Sequence, residues 1–294
     1  MSKNTIFTKE RSIKACMADA WKIIALNWKT YLSALWIYAL LASVANALFV
    51  EINLQYICEQ ALPALLLQQS GGDAEMVKII ATPTLSNLVL SVVSFVFYVF
   101  GNLCFLSRVF KTIKHYKAHN EMPVHLSLTL NAADWQCMKR VFNALLVSVF
   151  AFLLISAPFV YVSVKWLKWL WIVVPIIMFY FASFSVLCTL RHALYDNALA
   201  PSIRYALQHA FGLSFILMLL TAILTTIAML VVSLPQTLYV CSEIAATKSQ
   251  LMNDSVSLPW GLPLLFFIIN TICFAFSTFL STYFTWTLSL KVQK

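Results

Sequence analysis

Long stretches without a charged side chain, separated by short clusters of Lys, Arg, Asp and Glu, set the pattern of this chain. Uncharged runs lie between Lys29 and Glu51, Lys78 and Arg108, Arg140 and Lys165, Lys168 and Arg191, Arg204 and Glu243, and Asp254 and Lys291. About 20 apolar helical residues cross roughly 30 Å of hydrocarbon. The pattern therefore predicts an all-α integral membrane protein with six transmembrane helices, at approximately 30–50, 85–107, 141–164, 169–190, 211–238 and 260–290. The last two runs exceed one crossing, so tilt, a kink or extension into the interface must absorb the surplus. No connection is long enough for a soluble domain, and residues 1–294 read as a single polytopic membrane domain.

Shorter patterns flank the spans. Before the first, Met17, Trp21, Ile24 and Trp28 share a helical face, with Lys14, Asp19, Lys22 and Lys29 at polar positions. Such a helix suits the membrane interface. Trp135, Met138 and Phe142 with Lys139 and Arg140 precede the third span. Ile203, Leu207 and Phe211 with Arg204 and His209 precede the fifth. The chain thus reads as three units, each an amphipathic surface helix followed by a transmembrane hairpin, although any helix entering from the cytoplasm favours aromatic and basic anchors. In the first outer loop, Glu59 to Gln69 predicts a short amphipathic helix, ended by Gly71 and Gly72, with Pro83 just before the second span. Lys165-Trp166-Leu167-Lys168 predicts a tight turn, and Trp169 and Trp171 continue an aromatic belt.

This unit, a helix such as Ala20-Trp21-Lys22 through Asn27-Trp28 running into a hairpin, resembles the membrane domain attached to some bacterial glycerophosphodiester phosphodiesterases and related six-span proteins of uncharacterised function. The likeness covers most of the chain and rests on pattern, without a diagnostic motif. In that family the catalytic residues belong to a separate soluble barrel, which is not found in this chain. The resemblance thus implies a six-span fold and carries over no phosphodiesterase site.

Composition agrees with the pattern. Hydrophobic residues make up 61% and charged residues 11%, with a mean hydropathy of +0.83, against about 25% charged in a soluble domain. That balance excludes a disordered chain, a collagen repeat and a disulfide scaffold. Charge sets the orientation. Lys3, Lys9, Arg11, Lys14, Lys22 and Lys29 lie in the N-terminal arm, and Arg108, Lys111, Lys114, Lys117, Lys139 and Arg140 in the second connection. Arg191 and Arg204 lie in the fourth, and Lys291 and Lys294 at the end. The opposite side holds Lys78, Lys165, Lys168 and Lys248 beside Glu51, Glu59, Asp73, Glu75, Glu243 and Asp254. Both termini are expected in the cytoplasm, in a bacterial inner (cytoplasmic) membrane. The first apolar run begins near Thr30 without a small-residue cleavage pattern, so no signal peptide is expected to be removed. Cytoplasmic loops lying against anionic lipid headgroups account for the net charge of +9 without nucleic acid as a partner.

Catalytic chemistry finds little material. Five glycines are too few for a dinucleotide fingerprint or a phosphate loop, and neither His-Glu-x-x-His nor Gly-x-Ser-x-Gly occurs. The reading is of no enzyme, catalytic residue, cofactor or metal. His115, His119, His125, His192 and His209 all fall on the predicted cytoplasmic side. His115 and His119 could share a helical face as two ligands, but no third matches their spacing.

The spans hold no Asp or Glu away from their ends, unlike many proton-coupled transporters. Their polar groups are neutral: Asn46, Asn87, Asn102, Asn143, Gln236 and Asn270. The asparagines are candidates for a polar interior, either as hydrogen-bonding glue between helices or as the lining of a pathway. Pro158, Pro175 and Pro235 remove backbone donors from the third, fourth and fifth spans and can kink them. Ser277, Ser281, Thr285 and Ser289, beside Thr278 and Thr282, form a small polar ridge on the sixth, suited to close packing or to a hydroxyl-lined path. Cys16, Cys104, Cys137, Cys188 and Cys273 lie in spans or face the cytoplasm. Cys58 and Cys241 fall on the outer side, where an oxidising compartment would allow a disulfide. Asn253-Asp254-Ser255 is a glycosylation triplet there, relevant only in a eukaryotic secretory route.

The leading expectation is a non-catalytic scaffold or accessory of the inner membrane, contacting lipid or partner proteins, the candidates being membrane lipids through anionic headgroups on the cytoplasmic face, a protein partner or a homo-oligomer. The alternative is a small transporter or lipid-translocating protein.

Overall fold

The computed structural model describes residues 12–69, 71, 73, 75–76, 78, 82–119, 121, 129–165, 173–232, 238, 241–242, 245 and 261–291. Among them the chain is helical, without strands. The helices are α1 (Ile13–Leu26), α2 (Trp28–Tyr56), α3 (Leu62–Gln69), α4 (Leu85–His119), α5 (Ala132–Lys165), α6 (Val173–Thr189), α7 (Leu199–His209), α8 (Leu213–Val232) and α9 (Gly261–Lys291). Turns of π-helix, Ile57–Ala61 and Leu190–Leu194, follow α2 and α6. Five helices are long and apolar enough to cross a membrane, or six if α7 and α8, bent by 74°, are taken as one span. This is an all-α, multi-pass membrane architecture of about six spans.

Most expected elements lie where the apolar runs place them, with informative differences. The second span does not stop at residue 107 but continues as helix to His119. Thirty-five residues at 1.5 Å each reach about 52 Å, well past the hydrocarbon. The third span begins at Ala132, so Trp135, Met138 and Phe142 belong to the span helix itself. The second unit therefore has no separate surface helix. The reason is local: nothing between Trp135 and Phe142 breaks a helix, whereas α1 ends at Asn27, whose side-chain amide donates to the Ile23 carbonyl at 2.8 Å. Helix α7 gives way to α8 through Ala210-Phe211-Gly212. Helix α3 ends at Gln69, and Gly71 follows with φ +80, a left-handed conformation that glycine adopts without steric cost. Pro175 is the third residue of described α6. Pro158 lies inside α5. Pro235, the Lys165-to-Lys168 turn with Trp166, Trp169 and Trp171, and the Asn253 triplet fall wholly or largely outside the described residues.

The chain forms two compact units, residues 1–36, 103–225 and 279–294 in the first and residues 37–102 and 226–278 in the second. In the first, the segment of α4 from Leu103 to Ile113 is enclosed almost all round, with Leu103, Cys104, Phe105, Ser107, Arg108, Val109, Phe110, Thr112 and Ile113 buried. Three helices meet this segment and the turns after it. Tyr31 of α2 places its hydroxyl 3.4 Å from Thr112 Oγ1. Trp286 of α9 packs edge-on against both Tyr31 and Tyr116, and Asp134 of α5 lies against Arg108. A second core joins α5, α6 and α7, where Phe181 and Phe184 pack among Ala144, Leu187, Cys188, Ala206 and Ala210. The alanines leave room for the rings, which meet edge-to-face. At the α7–α8 corner, Ser183 donates to the Ala210 carbonyl at 2.7 Å and accepts from Ser214 at 2.5 Å. Its single proton is used on the carbonyl, so Ser214 must be the second donor.

In the second unit α2 and α4 touch backbone to backbone. A Cβ placed on Gly101 would lie 2.9 Å from Ala42 N and 3.0 Å from its Cα, so only glycine fits. Ala39, Ala42, Ser43, Ala45 and Ala47 keep the buried face of α2 small, the usual device for close helix approach in lipid. The outward face of α4 carries Leu88, Val92, Phe95 and Val96, half or more exposed. That exposure suits hydrocarbon as solvent.

Candidate functional site

Most of the ionic chemistry in the described residues gathers around the last three turns of α4. Arg108, Lys111, Lys114 and Lys117 recur every third residue on that helix, and two carboxylates from elsewhere in the fold meet them. Asp134 is 3% exposed and fully buried Arg108 stands 3.7 Å from it, while Lys111 reaches it at 3.3 Å. Arg108 also donates to the Thr129 carbonyl at 2.8 Å.

Asp134 has a second task. Its backbone N–H donates to Asn131 Oδ1 and its carboxylate accepts from the Asn131 N–H, both at 3.0 Å. This reciprocal capping box starts α5, and the helix N-terminus favours the negative charge. One residue therefore caps a span and neutralises a buried guanidinium.

Asp196 is the other junction. It follows the π turn with φ +57, a left-handed conformation that Asp tolerates better than most residues. The Tyr195 N–H donates to the Leu190 carbonyl and the Asn197 N–H to that of Arg191, which holds the reversal. Lys114 reaches the carboxylate at 2.9 Å, and Arg140 of α5 binds the same group. Four cations thus share two carboxylates, and the cluster stays positive.

Aromatic rings take up further cations. The Arg191 guanidinium lies 3.9 Å from the Tyr205 ring centroid, and Tyr205 stacks on His209 at 4.2 Å. Lys117 sits 4.6 Å over Tyr195, whose hydroxyl donates to the Ser289 carbonyl on α9 at 2.8 Å. Burial pushes the Tyr195 phenol above its usual range, and Arg191 opposes that only in part. As devices these contacts tie α4, α5, the α6–α7 connection, α7 and α9 together.

The histidines are engaged with the backbone. A carbonyl can only accept, so Nδ1 is the donor from His115 to Glu121, His119 to His115, His192 to Asn197 and His209 to Tyr205. His115 and His119 do share a face, stacked at 4.4 Å. Among the described residues no group of three or more His, Cys, Asp or Glu could hold a metal. His125 lies outside them.

The candidate polar-interior residues are divided between the two units. Asn46, Asn87, Asn102 and Asn270 belong to the second unit and Asn143 to the first. Asn102 donates to the Tyr98 carbonyl of its own helix at 2.8 Å. Asn270 is 6% exposed, and its Nδ2 has no hydrogen-bond partner among the described residues. On α9, Thr278, Thr285 and Ser289 donate to carbonyls of the preceding turn, and Thr278, Thr282 and Ser289 are buried. The small side chains let neighbouring helices come close. Cys241 is an exposed free thiol, and the side chain of Cys58 lies outside the described residues.

The cations of the second connection, expected among the loops that face lipid headgroups, also pair within the chain: Arg108 is fully buried against Asp134, whereas Lys111, Lys114 and Arg140 are paired but partly exposed. The pattern of apolar runs does not mark Asp134 or Asp196. The Asn131-x-x-Asp134 spacing ahead of an apolar run was a readable capping signal. Asp196 carried none, because its partners come from distant segments.

Fold and cluster together define an all-α multi-pass membrane protein whose buried charges join its helices. No family model, curated protein or solved structure matches the chain.

Proposed function

We propose that the chain is a non-catalytic scaffold or accessory of a bacterial inner membrane, with both termini in the cytoplasm, contacting lipid and a protein partner or further copies of itself. One observation carries the reading: the charged groups around α4 are committed to joining helices, with Asp134 and Asp196 each bridging segments far apart in sequence. A rigid, positively charged end suits a body that holds others in place. The surface-helix-and-hairpin pattern supports a likeness to the membrane domains attached to glycerophosphodiester phosphodiesterases, which accompany an activity housed elsewhere.

The test is purification from the native membrane in mild detergent, with quantitative mass spectrometry of what accompanies the chain. Stoichiometric association with a protein partner, or a defined homo-oligomer, is the expected result. A lone monomer that moves a solute or lipid across proteoliposomes would overturn it. Buried Asn270 with its unmatched amide favours that second reading, a small transporter or lipid-translocating protein.

A further inference from the structure

Helices α1 and α7 share a design that the charge cluster does not explain. Each buries a narrow stripe of small or aliphatic residues: Cys16, Ala20 and Ile23 on α1, Ser202 and Ala206 on α7. Helix α1 meets α9 through Tyr283, whose hydroxyl donates to the Met17 carbonyl and whose ring meets Trp21 edge-on. The opposite faces carry large apolar side chains outward. Trp21 is 65% exposed, Trp28, the first residue of α2, 56% and Phe211, just beyond α7, 68%, with Leu26 and Leu207 beside them. Lys14 and Lys22 on α1, Lys29 in the first turn of α2 and Arg204 on α7 are exposed, while Asp19 on α1 is half-buried.

Continuity fixes what these faces meet. Asn27 alone separates α1 from α2, and three residues with a 74° bend separate α7 from α8. The first surface is therefore held just ahead of a candidate span, and the second is the short arm of the bent pair that counts as one. Four candidate spans, α2, α4, α5 and α6, lie between the two helices, and four crossings return the chain to the side on which it began. Both faces meet the same leaflet. Tryptophan and phenylalanine settle at the boundary between headgroups and acyl chains, and lysine and arginine reach from there to phosphate.

Resting on the scaffold reading, we propose that α1 and α7 form a binding surface for anionic phospholipids of that leaflet. Trp21, Trp28, Leu207 and Phe211 enter the acyl boundary, and Lys14, Lys22, Lys29 and Arg204 hold headgroup phosphates. The occupant is lipid because the exposed charges are cationic and the apolar faces adjoin spans already immersed in lipid.

The test uses the full chain in detergent with added phosphatidylglycerol or phosphatidylcholine, counting retained lipids by native mass spectrometry. Wild type should retain phosphatidylglycerol preferentially. A Lys14→Gln/Lys22→Gln/Lys29→Gln/Arg204→Gln variant should lose about fivefold in that preference per effective charge at low salt, with an unchanged thermal melt. In nanodiscs of brominated lipid, wild type should be quenched more than a Trp21→Phe/Trp28→Phe variant. Equal retention of both lipids by wild type would overturn the lipid surface and leave the scaffold reading standing. So would protection of Trp21 and Trp28 from bromine by a bound protein. Solute flux through a lone monomer that still prefers phosphatidylglycerol would do the reverse.

Discussion

The contact between Gly101 and Ala42 gives the sharpest test of the packing. Substituting Gly101→Ala introduces a Cβ at 2.9 Å from Ala42 N, 3.0 Å from its Cα and 3.1 Å from its Cβ. Ordinary carbon contacts sit near 3.5–4.0 Å, so α2 and α4 must part by several tenths of an ångström. The closest atoms are backbone, and no rotamer can relieve them. Overpacking of this kind costs about 1–3 kcal/mol, and the helix-propensity gain of alanine over glycine returns at most about 1 kcal/mol. The net expectation is a loss of about 1 kcal/mol, with Gly101→Val worse. Reversible unfolding in mixed detergent micelles reads this directly, with lipid-facing Val96→Ala as a control expected to stay within about 0.5 kcal/mol. The double variant Gly101→Ala/Ala42→Gly separates the cause, since removing the Ala42 Cβ relieves only the most distant of the three contacts. Partial rescue is expected. Gly101→Ala at or above wild-type stability, or full rescue by Ala42→Gly, would refute the reasoning.

Three further outcomes follow from the ionic and hydroxyl contacts. Asp134→Ala should cost about 3–5 kcal/mol, because it leaves the Arg108 charge buried and uncaps α5, whereas Arg108→Met/Asp134→Leu should lose less than Asp134→Ala alone; equilibrium unfolding of the three proteins compares them. Ser183→Ala removes the group joining Ala210 and Ser214 and should cost about 1–2 kcal/mol, with Ser214→Ala adding less than its own single effect. Burial raises the Tyr195 phenol above its usual value near 10, so its contribution to stability is whole below about pH 10 and falls as pH rises from there, where only the unfolded chain ionises. Tyr195→Phe should therefore shallow the alkaline decline in melting temperature while lowering stability at neutral pH through the lost bond to Ser289.

How much the sequence disclosed depends on where each force acts. The sixth span, expected at 260–290, falls within α9, with a candidate crossing over Phe267–Lys291, and follows from hydrophobic length. The end of α3 before Gly71 follows from local turn chemistry. Helix α4 outran expectation because Lys111 to His119 reads as a polar connection, yet contains good helix formers and neither Pro nor Gly. The separate entry helix before the third span failed because aromatic and basic anchors mark a depth in the membrane, not a break in the backbone. The pairing of Lys114 with Asp196 spans 82 residues and depends on α4 and the α6–α7 connection meeting in three dimensions. No periodicity records that.

The central claim, a scaffold whose charges are spent on holding helices together, is tested most directly by what leaves the native membrane with it. The chain should be extracted together with its surrounding bilayer, without detergent exchange, and its company counted by quantitative mass spectrometry. The account predicts fixed stoichiometry with a protein partner or with further copies of the chain, unchanged by salt washing. A chain recovered alone, whose reconstituted form moves a solute or lipid between leaflets, would contradict it.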